Sequence, residues 1–162
     1  MSGRAAAALA VVALLGGVLP LRAQSTTLTV TGLPANFPGP TGADFFAGSI
    51  VYATNTTYTI TGNNWPANVT RTETIRIRCN NPCPVSGPKA LATLQWKLAG
   101  AAAWNTLTTA NVVVEAPSLT STNANRNPTY SNSIQWRFLL SWTTDPPGAL
   151  TTFNVRIRLT QT

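Results

Sequence analysis

The amino-acid sequence predicts an all-β protein, a two-sheet sandwich of roughly eight strands. Three observations carry that expectation. Large apolar residues alternate with polar ones in both arms of the segment 133–159: Ile134, Trp136, Phe138, Leu140 and Trp142 share one phase, and Phe153, Val155, Ile157 and Leu159 share another. Such period-two alternation marks half-buried strands. Eleven glycines and twelve prolines punctuate the chain, and many fall between alternating runs. No stretch after residue 23 holds a helical period. A small closed barrel is the alternative architecture.

Residues 1–23 read as a secretory signal peptide. Arg4 precedes an apolar run from Ala5 to Leu21, and Ala23 offers a small residue for cleavage before Gln24. A membrane anchor is the competing reading. It is disfavoured because the run falls short of the ~20 apolar residues of a spanning helix, and Gly16, Gly17 and Pro20 weaken it. Residues 24–162 then form a single exported domain without a transmembrane segment, placed as secreted, periplasmic or at the cell surface.

The strands follow in order. Thr26 to Thr31 alternates through Leu28 and Val30. The segment from Gly32 to Gly42 is a loop rich in proline and glycine. Phe45 to Tyr52 reads as a strand with Gly48 as a bulge, and Thr57 to Thr61 as another, with Tyr58 and Ile60 in phase. Gly62 to Val69 is irregular and holds Trp65-Pro66. Thr72 to Cys79 alternates cleanly: Ile75, Ile77 and Cys79 point one way, Arg76 and Arg78 the other. Leu91 to Leu98 sets Leu94, Trp96 and Leu98 against Gln95 and Lys97. Trp104 to Thr108 and Val112 to Glu115 are two short strands or one broken strand, and Thr120 to Ser131 is a polar loop. The last two strands flank Asp145-Pro146-Pro147-Gly148, which cannot continue a ladder. They either pair as a hairpin or lie in different sheets with the connection crossing between them.

Cys79 and Cys83 are the only cysteines, in Cys-Asn-Asn-Pro-Cys. In an exported chain a disulfide is the default. A redox pair usually has two intervening residues rather than three, and zinc would lack the further ligands that complete a tetrahedron. No metal and no cofactor is therefore expected.

Histidine is absent, so a serine nucleophile would lack its usual base. The domain carries four acids, Asp44, Glu73, Glu115 and Asp145, scattered in the sequence with nothing to bring a catalytic pair together. No phosphate loop or calcium-loop pattern occurs. The sequence thus points away from an enzyme.

The cations are more informative. Without Arg4 and Arg22 of the leader, nine Lys and Arg stand against those four acids, a net charge of about +5. Arg76, Arg78, Lys97, Arg137, Arg156 and Arg158 all take the polar phase of strands, which predicts a basic stripe on one outer face if the strands are neighbours. That face is either a solvating surface or a binding surface for acidic glycans, anionic lipid or nucleic acid. Nucleic acid is disfavoured because the strand aromatics lie on the opposite phase. Trp96, Trp136 and Trp142 belong to the core phase. Trp65 and Trp104 sit beside turn residues, where they either bind sugar or cap the ends of a sandwich.

The C-terminal third, with its long alternating strand, the segment Trp142-Thr-Thr-Asp145-Pro146-Pro147-Gly148 and a terminal strand, resembles secreted bacterial spore-coat-U-like and fimbrial-adhesin-like domains. Asp44-Phe45-Phe46-Ala47-Gly48 is similar to an N-terminal Asp-Phe-Gly segment of those families. Leu150 stands where they carry tyrosine, and Cys79 and Cys83 lie closer together than their usual disulfides. The resemblance implies an immunoglobulin-like sandwich at the cell surface or in a pilus-like assembly, with no catalysis. Two functional readings follow. One is a non-catalytic surface or structural interaction module whose partners are other protein subunits or surface glycans. The other is a carbohydrate- or anion-binding module using Trp65, Trp104 and the basic face.

Overall fold

The computed structural model describes residues 23–33, 39–83, 90–141, 143 and 153–161. Among the described residues ten strands build two antiparallel sheets: β1 (Ser25–Thr31), β2 (Ser49–Val51), β3 (Thr56–Asn63), β4 (Thr70–Cys79), β5 (Leu94–Leu98), β6 (Asn105–Thr106), β7 (Val112–Glu115), β8 (Ser118–Thr120), β9 (Thr129–Leu139) and β10 (Val155–Gln161). The larger sheet runs β1-β3-β9-β5-β6, with β2 also pairing β9. The smaller runs β10-β4-β7, with β8 also pairing β4.

The core lies between them. Tyr58, Ile60, Leu94, Trp96, Ile134, Trp136 and Phe138 face inward from the larger sheet, and Ile75, Ile77, Cys79, Val155 and Ile157 from the smaller. From Ile75 to Cys79 in β4 and from Ile134 to Phe138 in β9 buried residues alternate with less buried polar ones, so the apolar phase of the sequence becomes the interior. The buried Trp136 indole donates to Thr56 Oγ1 at 2.8 Å, and that hydroxyl donates to the Gly32 carbonyl at 2.7 Å, so neither polar group is left unpaired.

The terminal strands are not a hairpin. β9 is central in the larger sheet, while β10 pairs β4 from Val155 opposite Cys79 to Gln161 opposite Glu73. The chain crosses between sheets, and the Phe153 ring meets Phe138 edge-on at 5.7 Å. Trp142 and Asp145-Pro146-Pro147-Gly148 lie outside the described residues, as do residues 1–22, where a signal peptide is expected. Cys79 and Cys83 form a disulfide with Cα atoms 5.9 Å apart, closing the turn that ends β4.

Two helical turns correct the all-strand expectation. Residues Gly42–Ala47 form a helix, α1, where a strand from Phe45 was expected. The cause is a capping box: Asp44 N–H donates to Thr41 Oγ1, while the Asp44 carboxylate accepts from the Thr41 N–H at 2.8 Å. The Thr41 hydroxyl, then its backbone N–H, holds the Asp44 carboxyl below its ordinary pKa. Gly48, at φ 69°, ends the helix in the left-handed region that glycine tolerates best. A short 3₁₀ turn at Leu91–Thr93 likewise delays the start of β5 to Leu94.

Candidate functional site: two basic faces and the acids between the sheets

The six cations do not share one face. Antiparallel register sets Arg156 directly opposite Arg78, and Arg158 directly opposite Arg76, on the outer side of β10 and β4. These four arginines form a compact block on the smaller sheet, bordered by the exposed Val113 opposite Arg76. Lys97 and Arg137 lie instead on the outer side of the larger sheet, because the intervening Trp96 and Trp136 point inward as a cross-strand pair. A single stripe required all four strands to be neighbours, and they are not: alternation fixes a side chain's phase along its strand but not the sheet that the strand joins.

Trp104 belongs to the second cluster. Its half-buried ring has the Lys97 ammonium 4.9 Å and the Arg137 guanidinium 4.6 Å from its centroid. Arg137 Nε also donates to Gln95 Oε1 at 2.7 Å, across the β5–β9 ladder. Cation–π contact of this kind holds long, flexible cations in place over the ring.

Trp65, which the sequence offers with Trp104 as either a sugar platform or an end cap, is fully buried. Its indole donates to the Ser25 carbonyl at 3.1 Å, and Arg71 covers its ring at 4.7 Å from the centroid. Gly62 makes the slot: a Cβ there would lie 2.6 Å from Trp65 Cε2. The 121–128 segment folds over this end, with Trp65 N–H bonded to the Arg126 carbonyl at 3.0 Å. Trp65 therefore caps the sandwich and leaves the candidate binding set.

Of the three described acids, two turn into the interior and one caps a helix. Asp44 caps α1. Glu73 is fully buried and accepts from Thr26 Oγ1 at 3.0 Å. Glu115 reaches across the interior to the larger sheet. It accepts the Tyr58 hydroxyl, the Tyr130 hydroxyl at 2.9 Å and Asn132 Nδ2 at 3.1 Å. Sequence alternation places Glu115 on the same side as Val113, facing out. A register shift between Ile75 and Arg76 inserts an extra residue in β7, so that Glu115 pairs with the inward Ile75 while Val113 pairs with the outward Arg76. Burial first, then the Glu115 hydrogen bond and charge, push the Tyr58 phenol well above its ordinary pKa, and burial and the Glu115 hydrogen bond raise Tyr130. Both inward glutamates are thus engaged by side chains of the opposite sheet. Asp145 lies outside the described residues.

A groove of about 220 Å³ opens beside these elements, between β5–β6 and β7, lined by Trp96, Leu98, Val112 and Val114 with Asn105 at its polar side. It falls below the ~300 Å³ at which small-molecule sites begin. Among the described residues no group of His, Cys, Asp and Glu could hold a metal ion, and no helix is long and apolar enough to cross a membrane.

No protein-family model matches the chain, and neither a curated protein nor a solved structure matches it.

Proposed function

We propose that this chain, exported behind the leader at residues 1–23, is a non-catalytic interaction module at the cell surface or in an extracellular assembly. Its sandwich is of the immunoglobulin-like kind, and its partner is anionic. The observation that carries this reading is the pair of directly opposed arginines, Arg76 with Arg158 and Arg78 with Arg156. Like charges directly opposite each other across a ladder destabilise it. Among the described side chains only the neutral Asn80 holds one of the four, accepting from Arg78 Nε at 2.9 Å. A bound anion turns that repulsion into attraction, and a planar guanidinium suits carboxylate, sulfate and phosphate groups alike. The inward engagement of Glu73 and Glu115 supports the non-catalytic part, since each carboxylate is taken up in hydrogen bonds to the opposite sheet.

The test is binding of the domain to immobilised heparin at increasing salt. The wild type is retained at low salt and released as screening shortens the reach of the charges. Replacing Arg76, Arg78, Arg156 and Arg158 by glutamine weakens binding by about tenfold or more, while the folded circular-dichroism signal is kept. Equal retention of the variant and the wild type at every salt concentration overturns the assignment of this face.

A further inference from the structure

The two basic clusters lie on opposite outer faces of one sandwich. Arg76, Arg78, Arg156 and Arg158 face outward from the smaller sheet, while Lys97 and Arg137, gathered on Trp104, face outward from the larger. The packed core separates them, and sheets in such a core stand ~10 Å apart before the outer side chains are added. A stiff polymer lying along one face cannot lie along the other. Resting on the anion-binding reading above, we propose that the domain is bivalent and bridges two chains of an acidic polysaccharide.

The second face is built differently from the first, and its chemistry favours a saccharide. Beside the cations, β1, β3 and β9 present outward rows of Thr27, Thr61 and Thr129, then Thr29, Thr59 and Ser131, then Thr31, Thr57 and Ser133. These rows carry hydroxyl groups and no charge, with Thr59 and Ser131 bonded to each other at 2.8 Å. A polymer with regularly spaced acidic groups and many hydroxyls complements both halves of this surface. The cations hold its carboxylate or sulfate groups, and the threonine and serine rows meet its hydroxyls. Gathering Lys97 and Arg137 on the Trp104 ring removes part of the ordering penalty when the acidic group arrives. Nucleic acid fits less well. Single strands are gripped by successive aromatic rings among the cations, whereas Tyr58, Trp96, Trp136 and Phe138 all turn into the core.

The experiment counts sites. A heparin hexasaccharide, used as the probe, is titrated into the whole domain and the bound stoichiometry is read by native mass spectrometry and calorimetry. Two hexasaccharides bind per wild-type molecule. One binds to the Arg76→Gln, Arg78→Gln, Arg156→Gln, Arg158→Gln variant, and one to the Lys97→Gln, Arg137→Gln variant. With long heparin, light scattering passes through a maximum near equivalence for the wild type and stays at baseline for both variants. A single hexasaccharide on the wild type, lost only in the arginine variant, overturns bivalency and leaves the anion-binding reading standing. No hexasaccharide on the wild type overturns both. Tighter binding of oligothymidylate or anionic vesicles than of heparin overturns the choice of polysaccharide.

Discussion

Replacing Glu115 by alanine tests whether the two sheets are fastened through one carboxylate. The side chain crosses from β7 to accept from Tyr58, Tyr130 and Asn132 of the larger sheet. Tyr58 is fully buried, so the lost acceptor leaves its hydroxyl unpaired away from water, which costs about 1–3 kcal/mol. Tyr130 and Asn132 are half-buried and water can replace the carboxylate there, so each contributes the smaller net value of about 0.5–1.5 kcal/mol. The expected loss is therefore about 2–6 kcal/mol, a large share of the ~5–15 kcal/mol that holds a domain folded. Urea unfolding followed by tryptophan fluorescence reads it as a lower midpoint at unchanged slope. Glu115→Gln, which keeps an acceptor oxygen, loses less. In a cycle with Tyr58→Phe the two losses fall short of adding, because both variants break the same bond. A Glu115→Ala protein within ~0.5 kcal/mol of wild type, the range of ordinary surface substitutions, refutes the fastening.

Two further outcomes follow from the same packing. Tyr58 and Tyr130 hold their protons more tightly folded than unfolded, so their contribution is complete below the unfolded tyrosine value of about 10. It is lost as pH rises beyond that, at about 1.4 kcal/mol per pH unit for each tyrosine still protonated only in the fold. Urea midpoints measured from pH 9 to pH 12, as an order-of-magnitude window around that value, fall more steeply in wild type than in Tyr58→Phe; parallel profiles contradict the assignment. Gly62→Ala drives a methyl into the Trp65 ring, where the closest approach is 2.6 Å. It destabilises by about 1–3 kcal/mol as an overpacked core does, and unchanged thermal unfolding would show that Trp65 is not fixed in its slot.

What the sequence disclosed depended on how local the deciding physics was. The alternation of β4, β9 and β10 was visible because each strand buries one face, and the closely spaced cysteines announced their own bridge. Helix α1 was also legible in principle: Thr41 and Asp44 stand at capping-box spacing and Gly48 supplies the stop, but the apolar run from Phe45 matched a strand as well. The partition of the cations was not legible. Nothing in the local pattern of Arg156 and Lys97 says that one strand pairs β4 and the other β9, a decision made by contacts distant in sequence. The irregular, turn-rich surroundings of Trp65 fit an end cap and a sugar platform alike, and Gly62 with the 121–128 segment decides for the cap. Glu115 was hidden by an irregularity in β7 that reverses the direction strict alternation assigns it.

The most direct test is a two-dimensional ¹H–¹⁵N NMR titration of the wild-type domain with heparin hexasaccharide. Shifts are expected at Arg76, Arg78, Arg156 and Arg158 and at the Trp104 indole, with the Trp65, Trp96 and Trp136 indoles unmoved. Saturating hexasaccharide that leaves both basic faces unshifted, or that moves the 121–128 segment instead, would contradict anion binding at these faces.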